Sequence, residues 1–200
     1  MLFVKIFFMK TPQVLVRLQR EYQSHAKARR EVMGKANEAL SLSKRAIFAM
    51  HRDDSGEAKE LLEKAAVLFR SSEALFKKHR DLVDEGAHRA ALEEYAEALI
   101  FQMYLEKGVI GAIDARAMQT DLYFAGLSDA TGEMVRYALR QVTMGNTAAL
   151  KPTREAVEMI IEFFLSLDLT GYLRNKFDQA KKNLSRLEEM SYDLSIRGRS

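Results

Sequence analysis

The chain has 200 residues, of which 48% are hydrophobic and 30% are charged, and its formal net charge is +3 at pH 7. This composition supports one hydrophobic core and does not require a second domain. Cysteine is absent, which excludes disulfides, thiolate metal ligands and cysteine nucleophiles and is typical of a cytoplasmic protein. Because the net charge is small, a nucleic-acid-binding surface must come from local basic clusters or from assembly of several copies.

The hydrophobic periodicity predicts helices along almost the whole chain. Residues 1–11 form an apolar extension that is shorter than the ~20 residues needed to cross a bilayer, so no membrane span is predicted. Helices are predicted at residues 12–52, 56–82, 87–107, 115–120, 122–144, 152–167 and 172–196. Only two prolines interrupt this pattern. The sequence therefore predicts an all-α fold, a single domain over residues 1–200, in which six or seven helices form an elongated antiparallel bundle.

The helix predicted at 87–107 places acidic residues in an apolar surface. Glu94 lies on the stripe that also carries Ala91, Ala98 and Phe101, and Glu97 lies one turn further along. The opposite side of the helix is also apolar, so we expect burial on more than one face. Carboxylates held in such a place require protonation, a basic partner or a metal ion.

The helix predicted at 122–144 carries acidic residues followed by basic residues on one face. These are Asp129, Glu133, Arg136 and Arg140. Two glycines, Gly126 and Gly132, lie near Asp129, and glycine inside a helix costs about 1 kcal/mol relative to alanine. We therefore expect another element to pack closely against this helix.

Packing of these two helices would bring three or four carboxylates together. Carboxylate oxygens suit Mg²⁺ or Mn²⁺, and such an ion can polarise a phosphate and activate water. The neighbouring Arg136 and Arg140 could then hold phosphate oxygens. In the alternative interpretation, Glu133 pairs with these arginines, and Glu94 and Glu97 are ordinary acids on a helix surface. Spacing alone leaves both open.

Several basic and histidine residues are candidates for nucleic-acid contact. The pairs Arg29-Arg30, Lys44-Arg45 and Lys77-Lys78 could form an RNA-binding surface if several subunits contributed them. Each pair alone is more typical of solvated charge. The four histidines all lie near Arg or Lys, which permits phosphate contact, although a solvated helix face is the commoner situation.

The chain resembles the translin family over most of its length. The C-terminal segment from Leu187 to Gly198 is similar to the translin C-terminus, and the segment from Ser43 to Phe48 resembles the family's Ser-Lys-Arg segment. The segments 94–98 and 127–136 resemble translin-associated factor X (Trax) more than translin itself.

The resemblance implies a fold, an assembly and an activity. Subunits of this family are helical bundles that form a hollow octameric shell around RNA, and the Trax type carries an Mg²⁺-dependent endoribonuclease site. Its Glu-x-x-Glu motif falls on Glu94 and Glu97, and its aspartate before Thr-Gly-Glu falls on Asp129. The resemblance thus implies these three as catalytic metal ligands, with Glu133 either as a further ligand or as a residue that supports the packing. Of the basic and histidine residues that translin carries in this region to bind RNA, the chain keeps only His88 and Arg89.

The sequence thus predicts a homo-oligomeric Trax-like endoribonuclease that uses Mg²⁺, or Mn²⁺ in its place. Its predicted RNA-binding residues are Arg136, Arg140, His88, Arg89, Arg29, Lys44 and Arg45. One alternative is a translin-like shell that binds single-stranded RNA or DNA without cleaving it. Another is a helical scaffold with no affinity for nucleic acid.

Overall fold

The computed structural model describes residues 12–111 and 118–197. Within these residues there are six α-helices and no β-strand: α1 Gln13–His51, α2 Ser55–Lys78, α3 Gly86–Lys107, α4 Thr120–Thr143, α5 Leu150–Leu165 and α6 Gly171–Arg197. Short 3₁₀-helices lie at Arg80–Asp84 and Thr147–Ala149. The predicted all-α fold is confirmed.

Most predicted helix boundaries agree with the structure to within a few residues. The second helix is shorter than predicted, because the backbone leaves the helical conformation at His79 and continues as the 3₁₀-helix. Pro152 lies in the first turn of α5 as predicted, where a missing N–H costs no helical hydrogen bond. The apolar extension 1–11 and residues 115–117 of the predicted helix 115–120 lie outside the described residues, whereas residues 118 and 119 are not helical and Thr120 begins α4.

The helices pack in both relative orientations. Helices α1 and α2 are antiparallel, since Lys78 contacts Ser24 while Arg52 contacts Glu57 near the turn between them. In contrast, α3 runs in the same direction as α4. Arg89 reaches Asp121 at their N-terminal ends, and the rings of Tyr104 and Tyr137 meet near their C-terminal ends. The C-terminal end of α3 and the N-terminal end of α4 therefore lie at opposite ends of the bundle, so the predicted antiparallel arrangement does not hold for this pair of helices.

The core fills the space between α3, α4, α5 and α6 and continues onto α1 and α2. Its largest fully buried side chains include Phe101, Ile100, Met134, Phe164 and Leu187. A smaller apolar cluster joins α1 to the Arg80–Asp84 turn through Val32 and Leu82. No helix among the described residues is long and apolar enough to cross a membrane. This core fixes α3, α4 and α6 as neighbours, and the acidic residues lie where these three helices meet.

Candidate active site

A glycine allows α4 to lie directly against α3. A β-carbon at Gly126 would lie 2.6 Å from the Ala96 β-carbon and 2.9 Å from both the Glu93 carbonyl oxygen and the Glu97 amide nitrogen. Such distances leave no room for a side chain, so the close packing predicted from this glycine is confirmed. At Gly132 a β-carbon would make only an ordinary 3.5 Å contact with Asn183. The packing of neighbouring atoms therefore requires glycine at position 126 but not at position 132.

The four predicted acids, which we call the acidic cluster, are Glu94, Glu97, Asp129 and Glu133. The side chains of Glu94, Asp129 and Glu133 are only 20%, 24% and 21% exposed. Burial raises the pKa of Glu97 to about 9, and the negative charges of the other three carboxylates add to this effect. Charges act in this way only when they are close together. The structure therefore brings the predicted acids together, and they are not ordinary surface acids.

The pKa values of two further carboxyl groups of the cluster are also raised. Burial raises the pKa of Glu94, although the Lys44 ammonium, 3.8 Å away, opposes the shift. Burial also raises the pKa of Asp129, and its hydrogen bond with Lys176 opposes this shift. In both cases the lysine offsets only part of the cost of holding a charge there. The positive charges around the cluster therefore do not fully balance its negative charge.

Lys176 of α6 supplies a positive charge inside this site. Its Nζ lies 2.5 Å from Asp129 Oδ2 and 2.6 Å from Glu93 Oε1, and all three side chains are mostly buried. Burial alone would lower the pKa of Lys176, but the hydrogen bonds to Asp129 and Glu93 outweigh it and raise the pKa. Lys176 therefore remains charged and connects α6 to α3 and α4.

Glu133 is held from the other side by α1. His51, the last residue of α1, makes a short hydrogen bond from its Nε2 to Glu133 Oε2, and Arg136 lies 3.7 Å from the same oxygen. The Nδ1 of His51 is buried without a hydrogen-bond partner among the described residues. Arg140 instead donates to the His51 carbonyl oxygen and to Asp53. The predicted alternative, in which Glu133 pairs with an arginine, thus holds in part, through Arg136.

Several residues predicted to bind nucleic acid have other partners. Arg29 makes a bidentate ion pair with Glu85, at 2.7 and 3.1 Å. Arg89 lies 2.5 Å from both Asp121 and Gln119. Arg140 is engaged at the end of α1, as described above. Lys44 and Arg45 are exposed on α1, and Arg136 is half exposed above the Phe48 ring, although Lys44 and Arg136 also lie 3.8 and 3.7 Å from carboxylates of the acidic cluster.

The prediction for His88 requires a correction. Its side chain is only 4% exposed and packs against the rings of Phe69 and Phe76. Burial lowers its pKa, so the ring is neutral and inaccessible to a phosphate. His51 is also buried, so the expectation that the histidines lie on solvated faces is wrong for these two residues. The adjacent basic residues in the sequence gave no information about which face of the helix each histidine occupies.

A cleft of about 540 Å³ opens beside the acidic cluster. Glu97 and Asp129 line one side of it, and residues of α6 line the other: Gln179, Lys182, Asn183 and Arg186. Lys182 and Arg186 are exposed, lie one turn apart and form no ion pair with another described residue. The cleft therefore presents carboxylates opposite two available cations, an arrangement suited to a phosphodiester.

The donor chemistry of the acidic cluster fits a hard divalent cation. Four partly buried carboxylates repel one another, and a raised pKa at Glu97 is the response expected where a cation would relieve the repulsion. In the part of the chain that the structure describes, no three acidic or histidine side chains are arranged tightly enough to enclose an ion. The carboxylate of Asp129 is directed to Lys176 instead.

Besides the contact of His51 with Glu133, sequence reasoning missed five residues of this site. Glu93 and Tyr172 are joined to Lys176, whereas Lys182 and Arg186 line the cleft. Glu93 directly precedes the Glu-x-x-Glu motif but lies off its stripe, and the other four belong to α6, far from the motif in sequence. The spacing of Lys176, Lys182 and Arg186 along one side of α6 was the available signal, but it became informative only once α6 was known to pack against α4.

Comparisons with known proteins agree with this architecture. The Translin family model matches residues 28–198. The crystal structure of apo-NeC3PO is similar with a TM-score of 0.82 at 25% identity, covering 90% of this chain and 97% of that chain. The crystal structure of AfC3PO has a TM-score of 0.82 at 23% identity, and the AfC3PO–duplex RNA complex has 0.81 at 22%; each covers 92% of this chain and 97% of the other.

At 23% and 22% identity, the similarity to the two AfC3PO structures shows the fold alone. A comparison with curated protein sequences finds no match. The family assignment therefore depends on the family model, which covers most of the chain, including α3, α4 and α6 with the acidic cluster. The chain belongs to the translin family.

Proposed function

We propose that this chain is an RNA-binding subunit that cleaves RNA phosphodiester bonds with the help of Mg²⁺ or Mn²⁺. The observation that carries the proposal is the acidic cluster, where burial and then the repulsion of the neighbouring carboxylates raise the pKa of Glu97 to about 9, and which borders a cleft with cations on its far side. Structural similarity to AfC3PO, whose structure in complex with duplex RNA is known, supports RNA as the ligand.

The acids would hold the divalent ion, and two cations of α6 would bind the RNA phosphate. Glu94, Glu97 and Asp129 are the proposed catalytic ligands of the divalent ion, and Glu133 is a fourth ligand. When bound, the ion would polarise the phosphate and lower the pKa of a water molecule. Lys182 and Arg186 bind non-bridging phosphate oxygens from the opposite side of the cleft and so position the RNA backbone.

The lysine and histidine partners keep the acids in place. Lys176 holds Asp129 beside Glu93, and His51 holds one oxygen of Glu133. Without a cation, Glu97 keeps its proton at neutral pH because of its raised pKa. Without a divalent ion, the negative charge of the site is therefore reduced by the proton on Glu97 and offset in part by the positive charge of Lys176.

The proposal includes assembly of several copies into a shell, an octamer by family resemblance. A single chain with a net charge of +3 attracts RNA weakly, whereas several copies that face their clefts inward would combine their exposed cations. Lys44 and Arg45 remain candidates for this surface, since both are exposed.

Cleavage of a labelled single-stranded RNA tests the proposal. We expect cleavage by the wild-type protein with Mg²⁺, and none with EDTA or with the double variant Glu94→Ala/Asp129→Ala. Glu106→Gln, an exposed acid on the same helix, should cleave like the wild type. Cleavage that persists in the double variant would place the chemistry elsewhere and contradict the proposal.

A second candidate is a shell that binds single-stranded RNA or DNA without chemistry. The observation in its favour is Lys176, which already forms ion pairs with Asp129 and Glu93 and so stabilises those acids without a metal. This candidate predicts RNA binding that weakens steeply with salt and is equal in Mg²⁺ and in EDTA, with the RNA recovered intact.

A further inference from the structure

An exposed aromatic ring lies at the end of the Lys176 network. Tyr172, in the first turn of α6, is 58% exposed. Its hydroxyl donates a 2.7 Å hydrogen bond to Glu93 Oε1, the same oxygen that Lys176 contacts. The Lys176 ammonium also lies 5.2 Å from the centre of the Tyr172 ring. The ring is thus held at its hydroxyl with the ammonium over it, while more than half of the residue remains exposed to solvent.

A second cleft opens beside this ring. It has a volume of about 510 Å³ and is lined by Tyr172, Leu173, Thr170, Leu122, Asp121, Arg89, Glu93, Ala90 and Gly86. Its volume falls in the range of roughly 300–1,000 Å³ that is usual for ligand clefts. Two leucines and an aromatic ring give it an apolar part, which a phosphate would not require but a nucleobase would.

The second cleft is connected to the acidic cluster through three short contacts. Tyr172 contacts Glu93, Glu93 contacts Lys176, and Lys176 contacts Asp129, which lines the first cleft. An RNA strand with a phosphate in the first cleft would therefore place a neighbouring nucleotide near Tyr172. Lys176 lies between the two positions and offsets the negative charge that would otherwise repel the backbone.

We propose that Tyr172 is a stacking platform for one unpaired nucleobase next to the phosphate bound at the acidic cluster. A fixed aromatic ring loses little conformational freedom when a base stacks on it, and stacking tolerates any base. A base can reach the ring only if it is not paired in a duplex. The platform therefore selects single-stranded or locally unpaired RNA. This inference rests on the proposed binding of RNA but not on cleavage.

RNA affinity measured in EDTA tests the inference apart from cleavage. We expect Tyr172→Leu to weaken binding of a single-stranded RNA by about tenfold, within the range for loss of one stacked base. Tyr172→Phe, which keeps the ring and loses the hydroxyl, should stay within about threefold of the wild type. Tyr192→Leu is the matched control, because Tyr192 is 66% exposed on the same helix and should not change affinity.

A scan with abasic sites then separates stacking from other effects. We expect one abasic position to weaken binding to the wild-type protein, and the same position to have no effect on Tyr172→Leu, since the two changes remove one interaction. An abasic profile that is the same in both proteins overturns the inference, as does a Tyr172→Phe variant that binds as weakly as Tyr172→Leu. Absence of RNA binding by the wild type would overturn the proposed function as well.

Discussion

Replacing Glu97 by glutamine should stabilise the protein at neutral pH while removing a proposed metal ligand. The ordinary pKa of this carboxyl is 4.5, and in the folded protein it is about 9. Between these values the folded state holds a proton that the unfolded state has released, so stability falls as pH rises, by up to about 1.4 kcal/mol per pH unit. Glutamine has the same shape and carries no charge at any pH.

The magnitude follows from the gap between the two pKa values. At pH 7 the full penalty would be about 3 kcal/mol, and because Glu97 retains some contact with solvent, we expect a gain of about 1–3 kcal/mol for Glu97→Gln. Near pH 4.5 the variant and the wild type should be equally stable. Below the ordinary pKa both states of the wild type are protonated, so no difference remains.

Urea unfolding in EDTA, followed by circular dichroism at pH 4.5, 6, 7 and 8, measures this difference. All samples need the same protein concentration, because assembly makes apparent stability depend on it. Glu106→Gln is the control and should follow the wild type throughout. A stability difference for Glu97→Gln that does not grow with pH, or a variant that is less stable at pH 8, would refute the reasoning that Glu97 lies in a buried, repulsive cluster.

Three other substitutions test separate contacts. Lys176→Met leaves two partly buried carboxylates without their cation and should cost about 2–4 kcal/mol at pH 7, with recovery towards pH 5 in the same urea assay. Gly126→Ala should lower the free energy of unfolding by about 1–3 kcal/mol, because the new β-carbon overlaps α3. Gly132→Ala should leave it unchanged or raise it by up to about 1 kcal/mol. Equal effects of the two substitutions would contradict the packing argument. His51→Leu removes the hydrogen bond to Glu133 and should raise the Mg²⁺ concentration for half-maximal cleavage by about tenfold, while His51→Gln, which can still donate, should recover most of it.

The fold was largely predictable because helix signals are local. Long stretches without proline, the apolar stripes and the caps depend on neighbouring residues, and they placed five of the six helices in the described residues to within two residues at each end. The end of α2 was missed because the bend at His79 leads into a 3₁₀-helix with no proline or glycine to mark it. The parallel direction of α3 and α4 was not predicted, since local helical patterns carry no information about which helices become neighbours.

The acids of the site could be predicted and their partners could not. Glu94 and Glu97 lie near one stripe of a helix, and Asp129 has a glycine three residues before it. These spacings were enough to predict that the three acids share a site. Lys176 and His51 reach the acids from α6 and α1, and no local pattern relates them to α3 or α4. His88 illustrates the opposite error, because its basic neighbour in the sequence suggested exposure while its own position on the helix is buried.

Binding of a divalent ion by the acidic cluster is the central claim, and calorimetric titration of the protein with Mn²⁺ tests it most directly. Because Glu97 holds a proton at pH 7, binding of the ion should release about one proton per site, seen as a difference in heat between two buffers of different ionisation enthalpy. The account predicts this release for the wild type and for Glu106→Gln, and at least tenfold weaker binding without proton release for Glu97→Gln. Binding of equal strength to Glu97→Gln, or no binding to the wild type, would contradict it.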